Sequence, residues 1–110
     1  MARPILLAVD DDVSVLEAVV QDLRRQYGAT YRVMRAASGP AALDTLAQLK
    51  SRDEPVALLI SDQRMPGMSG VEMLERARTI YPDARRILSP RMPTLRPPFA
   101  PLTPLAFITT

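Results

Sequence analysis

A chain of 110 residues, of which 47% are hydrophobic and 24% charged, has the length and composition of one small globular domain. It contains no cysteine and no histidine, which excludes disulfide bonds, thiolate or imidazole metal centres and histidine general-base catalysis. Residues 1–88 carry 12 basic and 12 acidic side chains, so the net charge of +2 comes from Arg91 and Arg96, and no direct nucleic-acid partner is predicted.

The sequence also lacks the features of membrane and secreted proteins. No apolar run approaches the ~20 residues that a membrane-spanning helix needs. The first residues lack the long apolar segment and the small-residue cleavage site of a secretory signal. We therefore expect a cytoplasmic protein that makes no contact with a membrane.

Segments with the pattern of strands alternate with segments with the pattern of helices as far as Leu88. Strands are predicted over residues 5–9, 31–37, 56–60 and 85–88, and the segments at 5–9 and 56–60 are apolar throughout. Apolar residues at helical spacing predict helices over residues 13–27, from residue 39 onward and over residues 71–80. This alternation predicts a parallel sheet with helices on both faces. In such a sheet, ligands bind beyond the carboxyl ends of the strands, where the strand order reverses.

Local signals predict where the helices begin and end. Asp12 and Ser38 stand just before the first two helices, where their side chains can accept hydrogen bonds from the helix backbone. Pro40 is compatible with the first turn of the second helix, because the amide proton that proline lacks has no partner there. Gly28 is predicted to end the first helix as a glycine beyond its last turn.

Four aspartates follow two of the predicted strands. Asp10, Asp11 and Asp12 follow the first strand, and Asp62 follows the third. Carboxylates gathered at one edge of a sheet repel each other, and a hard cation such as Mg²⁺, which prefers oxygen ligands, removes that repulsion. Aspartates after strands also serve as plain turn formers and helix caps, and Asp12 is expected to be such a cap. The occurrence of both acidic features at strand ends favours a metal site.

Two stretches of the sequence around the aspartates form longer motifs. Residues 6–12 read Leu-Leu-Ala-Val-Asp-Asp-Asp, and residues 58–70 read Leu-Leu-Ile-Ser-Asp-Gln-Arg-Met-Pro-Gly-Met-Ser-Gly. Both stretches resemble the receiver domains of bacterial response regulators. The resemblance covers residues 4–88 and is most specific in the second stretch. It implies an α/β fold of the flavodoxin-like, doubly wound type, here incomplete, with about four strands and three helices.

The resemblance also implies roles for individual residues. It implies that Asp62 accepts a phosphoryl group from a histidine kinase or a phosphotransfer protein. It implies that Asp11 and Asp62 bind Mg²⁺ directly, that the backbone carbonyl of Arg64 is a third ligand, and that Asp10 acts through a metal-bound water. A protein with these roles is a signalling module and not an enzyme.

After Leu88 the sequence departs from the family pattern. Receiver domains have a serine or threonine at the end of the fourth strand and a lysine at the end of a fifth. Here Ser89 comes one place early, and the only lysine, Lys50, lies in the second helix. Six of the 11 prolines lie in residues 89–110, where they exclude a regular helix or a central strand. Residues 1–88 are therefore predicted to form a partial receiver domain, followed by an irregular Pro-rich tail.

A frameshift is our preferred explanation of this tail. If the codons for residues 89–110 are read one base out of frame, with the wobble bases chosen freely, they can encode a sequence that begins Leu-Thr-Ala and continues with the pattern of an amphipathic helix. The family has this pattern after its fourth strand. The alternative is a natural Pro-rich tail.

The missing family residues leave more than one function open. The leading hypothesis is a phosphoacceptor domain whose activity is impaired. The alternative is a docking module that works without phosphorylation, or a non-functional truncated product. Haloacid-dehalogenase-like phosphatases are excluded, because they place a hydroxyl residue after an Asp-x-Asp pattern, where Val13 stands here. Without a fifth strand, the fourth strand is expected to form an exposed edge that favours association between copies of the chain.

Overall fold

The computed structural model describes residues 3–89 of the chain. Strands and helices alternate strictly along this part, in the order β1 (Ile5–Val9), α1 (Val13–Tyr27), β2 (Arg32–Ala36), α2 (Gly39–Ser51), β3 (Val56–Ser61), α3 (Gly70–Ile80) and β4 (Arg85–Leu88). The four strands form one parallel sheet with the order β2-β1-β3-β4. The predicted flavodoxin-like arrangement is confirmed for this part of the chain. The predicted irregular tail and its frameshift origin lie outside the described residues.

The central strand β1 divides the hydrophobic core into two halves. Its five residues are all buried, and their side chains alternate between the two faces of the sheet. Ile5, Leu7 and Val9 pack with α2 and α3 on one face, whereas Leu6 and Ala8 pack with α1 on the other. A parallel strand that is covered on both faces has a continuous apolar sequence, which explains the unbroken run at this position.

The predicted starts of α1 and α2 and the predicted end of α1 are confirmed, but the conformation expected of Gly28 is wrong. The carboxylate of Asp12 accepts hydrogen bonds from the backbone N–H groups of Ser14 and Val15, at 3.0 and 3.2 Å. The Ser38 hydroxyl accepts one from Ala41 at 3.1 Å. Gly28 does follow α1, but it has right-handed helical angles, with φ −62°, and not the left-handed conformation of a glycine that ends a helix. None of the helices in residues 3–89 is long and apolar enough to span a membrane.

The left-handed conformation occurs instead at Asp53, after α2. Asp53 has a φ of +57° and is the only non-glycine residue of residues 3–89 with a positive φ. Its N–H donates to the Lys50 carbonyl at 3.0 Å, and the N–H of Glu54 donates to the Leu49 carbonyl at 3.0 Å. These two bonds form a Schellman motif, in which the position held by Asp53 favours glycine.

The sheet ends at β4 within the described part of the chain. β4 pairs with β3 on one side and with no described strand on the other. Unpaired backbone groups along such an edge can pair with another chain. Association through this edge stays a prediction.

Tyr81 joins the ends of α2 and α3 to the start of β3. Its hydroxyl donates a hydrogen bond of 2.6 Å to the Glu54 carbonyl, and the Lys50 ammonium lies 5.0 Å from the centre of its ring. Burial raises the pKa of Tyr81 above 10.0, and the negative charges of Glu54 and Asp53 raise it further. The folded state therefore holds the phenol proton more tightly than the unfolded state does.

We expect Asp53→Gly to raise the free energy of unfolding by about 1 kcal/mol, because glycine adopts the left-handed conformation without steric cost. Urea unfolding followed by circular dichroism measures the change. Arg52→Gly is the matched control: Arg52 precedes Asp53 but has a φ of −99°, so glycine there should lower stability. Stabilisation by both substitutions, or by neither, would contradict the assignment.

We expect the stability contributed by Tyr81 to be fully present below about pH 10 and to be lost as the pH rises through its raised folded-state pKa. Between pH 9 and 11, the free energy of unfolding should therefore fall more steeply for the wild type than for Tyr81→Phe. The substituted chain cannot ionise at this position, although at pH 7 it should be about 1 kcal/mol less stable through loss of the hydroxyl hydrogen bond. Parallel pH profiles of the two proteins would refute the prediction.

Candidate functional site

The candidate site lies at the carboxyl ends of β1 and β3. Asp10 and Asp11 come directly after β1, and Asp62 comes directly after β3. The two strands are neighbours, with Val9 opposite Ser61, and the N–H of Asp62 donates to the Val9 carbonyl at 3.0 Å. The strand order reverses between β1 and β3, because β2 lies on one side of β1 and β3 on the other. This is the place where ligands bind in open parallel sheets.

Three of the four predicted acidic residues meet at this point. Asp10, Asp11 and Asp62 each offer a carboxylate oxygen, and these oxygens lie within 4.8 Å of one another. Asp10 and Asp62 are each 5% exposed, whereas Asp11 is exposed. Three carboxylates at such distances repel each other, and carboxylate oxygens are the ligands that Mg²⁺ prefers. The donor set therefore fits a hard divalent cation that is approached from the side of Asp11.

Asp12 is not part of this group. Its carboxylate caps α1, as its position in the sequence predicts. Its backbone N–H donates to a carboxylate oxygen of Asp10 at 2.9 Å, so the turn after β1 also orients Asp10.

The loop between β3 and α3 carries the fourth predicted site residue. Arg64 is exposed and lies two positions after Asp62. Met65 and Met68 bury their side chains in the core and anchor the loop on both sides of its tip. Gly67, between them, has a φ of +82°, a conformation that side chains disfavour. The loop is therefore held by packing as well as by its two ends.

Gln63 in this loop and Gly70 at the start of α3 have structural roles that sequence reasoning missed. Gln63 accepts two hydrogen bonds from the start of α3: its backbone oxygen from the N–H of Gly70 at 3.0 Å, and its side-chain oxygen from that of Val71 at 2.9 Å. Gly70 lies so close to Asp62 that a Cβ atom on residue 70 would come within 2.3 Å of the Asp62 carbonyl oxygen.

The Ser-x-x-Glu pattern that begins at Ser69 is a helix-start signal and indicates that α3 starts at Gly70, one residue before the predicted start.

Ser89 and Lys50 lie at opposite ends of the sheet. Ser89 follows β4, its N–H donates to the Ser61 carbonyl at 2.8 Å, and it lines a cleft together with Asp10 and Asp62. The structure thus places it beside the acidic group, although it comes one place early for the family's hydroxyl residue. Lys50 contacts Tyr81 near the amino end of β3, away from the acidic group, as the sequence indicates.

Comparison with known protein families agrees with this geometry. The model of the response regulator receiver domain matches residues 6–90. The chain belongs to this family. The receiver-domain match includes the acidic residues beyond β1, the loop after β3 and all four strands except the first residue of β1.

Among curated relatives, the receiver chain is 35% identical over 83 residues to the hydrogenase transcriptional regulatory protein HoxA of Cupriavidus necator. The match covers 76% of this chain but only 15% of HoxA. Among solved structures, the receiver domain from the hybrid histidine kinase CckA is 31% identical, with a TM-score of 0.66, and the match covers 76% of this chain and 72% of that one. A chain from the structure of the P1 domain of CheA3 in complex with CheY6 from R. sphaeroides is 26% identical, with a TM-score of 0.61, covering 80% and 64%.

We expect the wild-type receiver chain to bind one Mn²⁺, used as a spectroscopic substitute for Mg²⁺, and Asp11→Asn to weaken this binding at least ~10-fold through loss of a ligand charge. Water-proton relaxation during a Mn²⁺ titration measures the affinity. Asp12→Asn is the matched control, because asparagine also caps helices and Asp12 lies outside the acidic group. Equal weakening by the two substitutions would show general charge attraction and not a site.

Proposed function

We propose that the chain accepts a phosphoryl group on Asp62 from the phosphohistidine of a histidine kinase or of a phosphotransfer protein. The observation that carries this proposal is the meeting of Asp10, Asp11 and Asp62 at the point where the strand order reverses. Membership of the receiver family supports the same assignment. In this function the chain is a signalling module that receives the phosphoryl group from its partner and carries it on Asp62.

Each site residue has a distinct task in this proposal. Asp11 and Asp62 would bind Mg²⁺ directly, the Arg64 backbone carbonyl would be a third ligand, and Asp10 would act through a metal-bound water. When bound, Mg²⁺ neutralises negative charge on the transferring phosphoryl group. The fit rests on three carboxylates with oxygens within 4.8 Å of one another.

The transfer itself requires a carboxylate that is held in place and open on one side. A carboxylate oxygen of Asp62 attacks phosphorus, and an O–P bond forms as the N–P bond of the donor's phosphohistidine breaks. The product is an acyl phosphate, and the donor imidazole leaves with the electron pair of the broken bond. The backbone hydrogen bond from Asp62 to Val9 fixes the main chain behind the nucleophile.

The partner class is supported by a structural neighbour. The neighbour from R. sphaeroides is a complex between the P1 domain of CheA3 and CheY6. By analogy, we infer that the partner of this chain is a protein domain that docks on the receiver and presents the phosphoryl group to Asp62.

The position of the lysine bears on how the chain would respond to phosphorylation. Within residues 3–89, the one lysine lies near Tyr81 and not near Asp62. A phosphoryl group on Asp62 therefore has no lysine partner among the described residues, and we propose that phosphorylation is poorly coupled to conformational change. The same observation favours, as a second candidate function, a docking module that works without phosphorylation.

We expect acetyl phosphate and Mg²⁺ to add one phosphoryl group to the wild-type chain, and Asp62→Asn to abolish the addition, because an amide is no nucleophile toward phosphorus. Intact-protein mass spectrometry detects the added mass. Hydroxylamine should remove it, because an acyl phosphate is a mixed anhydride. Asp12→Asn should be labelled like the wild type. Labelling that survives in Asp62→Asn would refute the assignment, and a wild type that is never labelled would favour the docking module.

A further inference from the structure

The first N–H groups of α3 are satisfied by acceptors from the loop before it. Helix starts leave such groups without partners inside the helix. Gly70 donates to the Gln63 backbone oxygen at 3.0 Å, Val71 donates to the Gln63 side-chain oxygen at 2.9 Å, and Glu72 donates to the Ser69 hydroxyl at 3.2 Å. One residue at the beginning of the loop thus supplies two of the three acceptors.

The side chain of Gln63 is exposed, yet a hydrogen bond fixes its position. Its order therefore depends on the hydrogen bond to Val71 and not on packing. The backbone carbonyl of the same residue is held by Gly70. Because one peptide group and one side chain of Gln63 are both tied to α3, rotation of the main chain at this residue is restricted.

This restriction acts on the residues on both sides of Gln63. Asp62, which precedes it, packs against Gly70 so closely that a Cβ atom there would approach the Asp62 carbonyl oxygen to 2.3 Å. Arg64, which follows it, is exposed. Asp62 is therefore held by the sheet and by α3, whereas the orientation of the peptide groups after it depends on Gln63 and on the methionine anchors of the loop.

We propose that Gln63 is a positioning residue for the metal site: by tying the peptide group between Gln63 and Arg64 to the start of α3, it orients the main chain that carries the Arg64 carbonyl. The inference rests on the proposed function, since it assigns to Arg64 the role of a metal ligand. Gln63 is not one of the residues proposed to bind the metal or the phosphoryl group. Groups that orient metal ligands typically change metal affinity 10–100-fold when they are removed.

A plain helix cap would have the same hydrogen bonds, so the test must separate the two roles. Ser69→Ala removes the third acceptor from the same helix start, without changing the peptide groups next to Arg64. Gln63→Met keeps the length of the side chain and removes its acceptor. Both substitutions are expected to lower the melting temperature by similar amounts, because each leaves one N–H group of α3 without its partner.

The experiment is a Mn²⁺ titration of the full chain and its variants, followed by water-proton relaxation. We expect Gln63→Met to weaken Mn²⁺ binding ~10-fold, and Ser69→Ala to leave it within ~3-fold of the wild type. The melting temperature of each variant is measured in the same samples, so that loss of folded protein is not mistaken for loss of affinity.

The possible outcomes separate this inference from the proposed function. Unchanged affinity in Gln63→Met, or an equal loss in Ser69→Ala, would overturn the positioning role while the wild-type site stands. A wild-type chain that binds no Mn²⁺ would overturn the metal site and, with it, the role of Gln63. Should Gln63→Met not fold, Gln63→Ala is compared with Ser69→Ala in the same way: weakened binding in the first alone supports the proposal, and equal binding in the two refutes it.

Discussion

The register between β1 and β3 is the constraint on which the candidate site depends. Asp10, Asp11 and Asp62 bring their oxygens within 4.8 Å of one another, and two of the three side chains are buried. The three carboxylates come from two separate segments of the chain, so a single loop does not bring them together. The sheet does so through its backbone, because the register that places Val9 opposite Ser61 also places the residues after them side by side. The pairing shifts by one residue between Ile5 and Leu6 and is regular from Leu6 to Val9, where the buried side chains on the two faces of β1 fix it.

Much of the fold and the position of the acidic group could be predicted from the sequence, because both depend on local patterns. The alternation of apolar segments determined the order of elements, and Asp12 and Ser38 cap their helices as short-range chemistry requires. Only one predicted strand end and one helix start differ by a residue at the site itself: β3 continues to Ser61 and α3 begins at Gly70. Helix and strand ends are the part of a structure that local propensity determines least.

Other features could not be predicted, because they depend on contacts between distant residues. Asp53 has the left-handed conformation although it is not a glycine, and the hydrogen bonds of Asp53 and Glu54 to the last turn of α2 accompany that conformation. Gly28, which sequence reasoning favoured for it, has right-handed helical angles. The hydrogen bond from Val71 to Gln63 spans eight residues, and no local pattern indicates it. The placement of Ser89 beside Asp62 follows from the pairing of β4 with β3, which the position of Ser89 in the sequence does not reveal.

In the proposed function, acceptance of a phosphoryl group and the response to it would depend on different parts of the sheet. The residues proposed for the acceptor chemistry lie at the ends of β1 and β3 and in the loop before α3, all within the described residues. A conformational response needs further groups that contact the phosphoryl oxygens and differ in position between two states. Among the described residues, Ser89, which follows β4, lines the cleft of Asp62. Under the proposed function, the chemistry of an acceptor and the response to phosphorylation would therefore depend on separate contacts, so that a weak response would leave the acceptor chemistry intact.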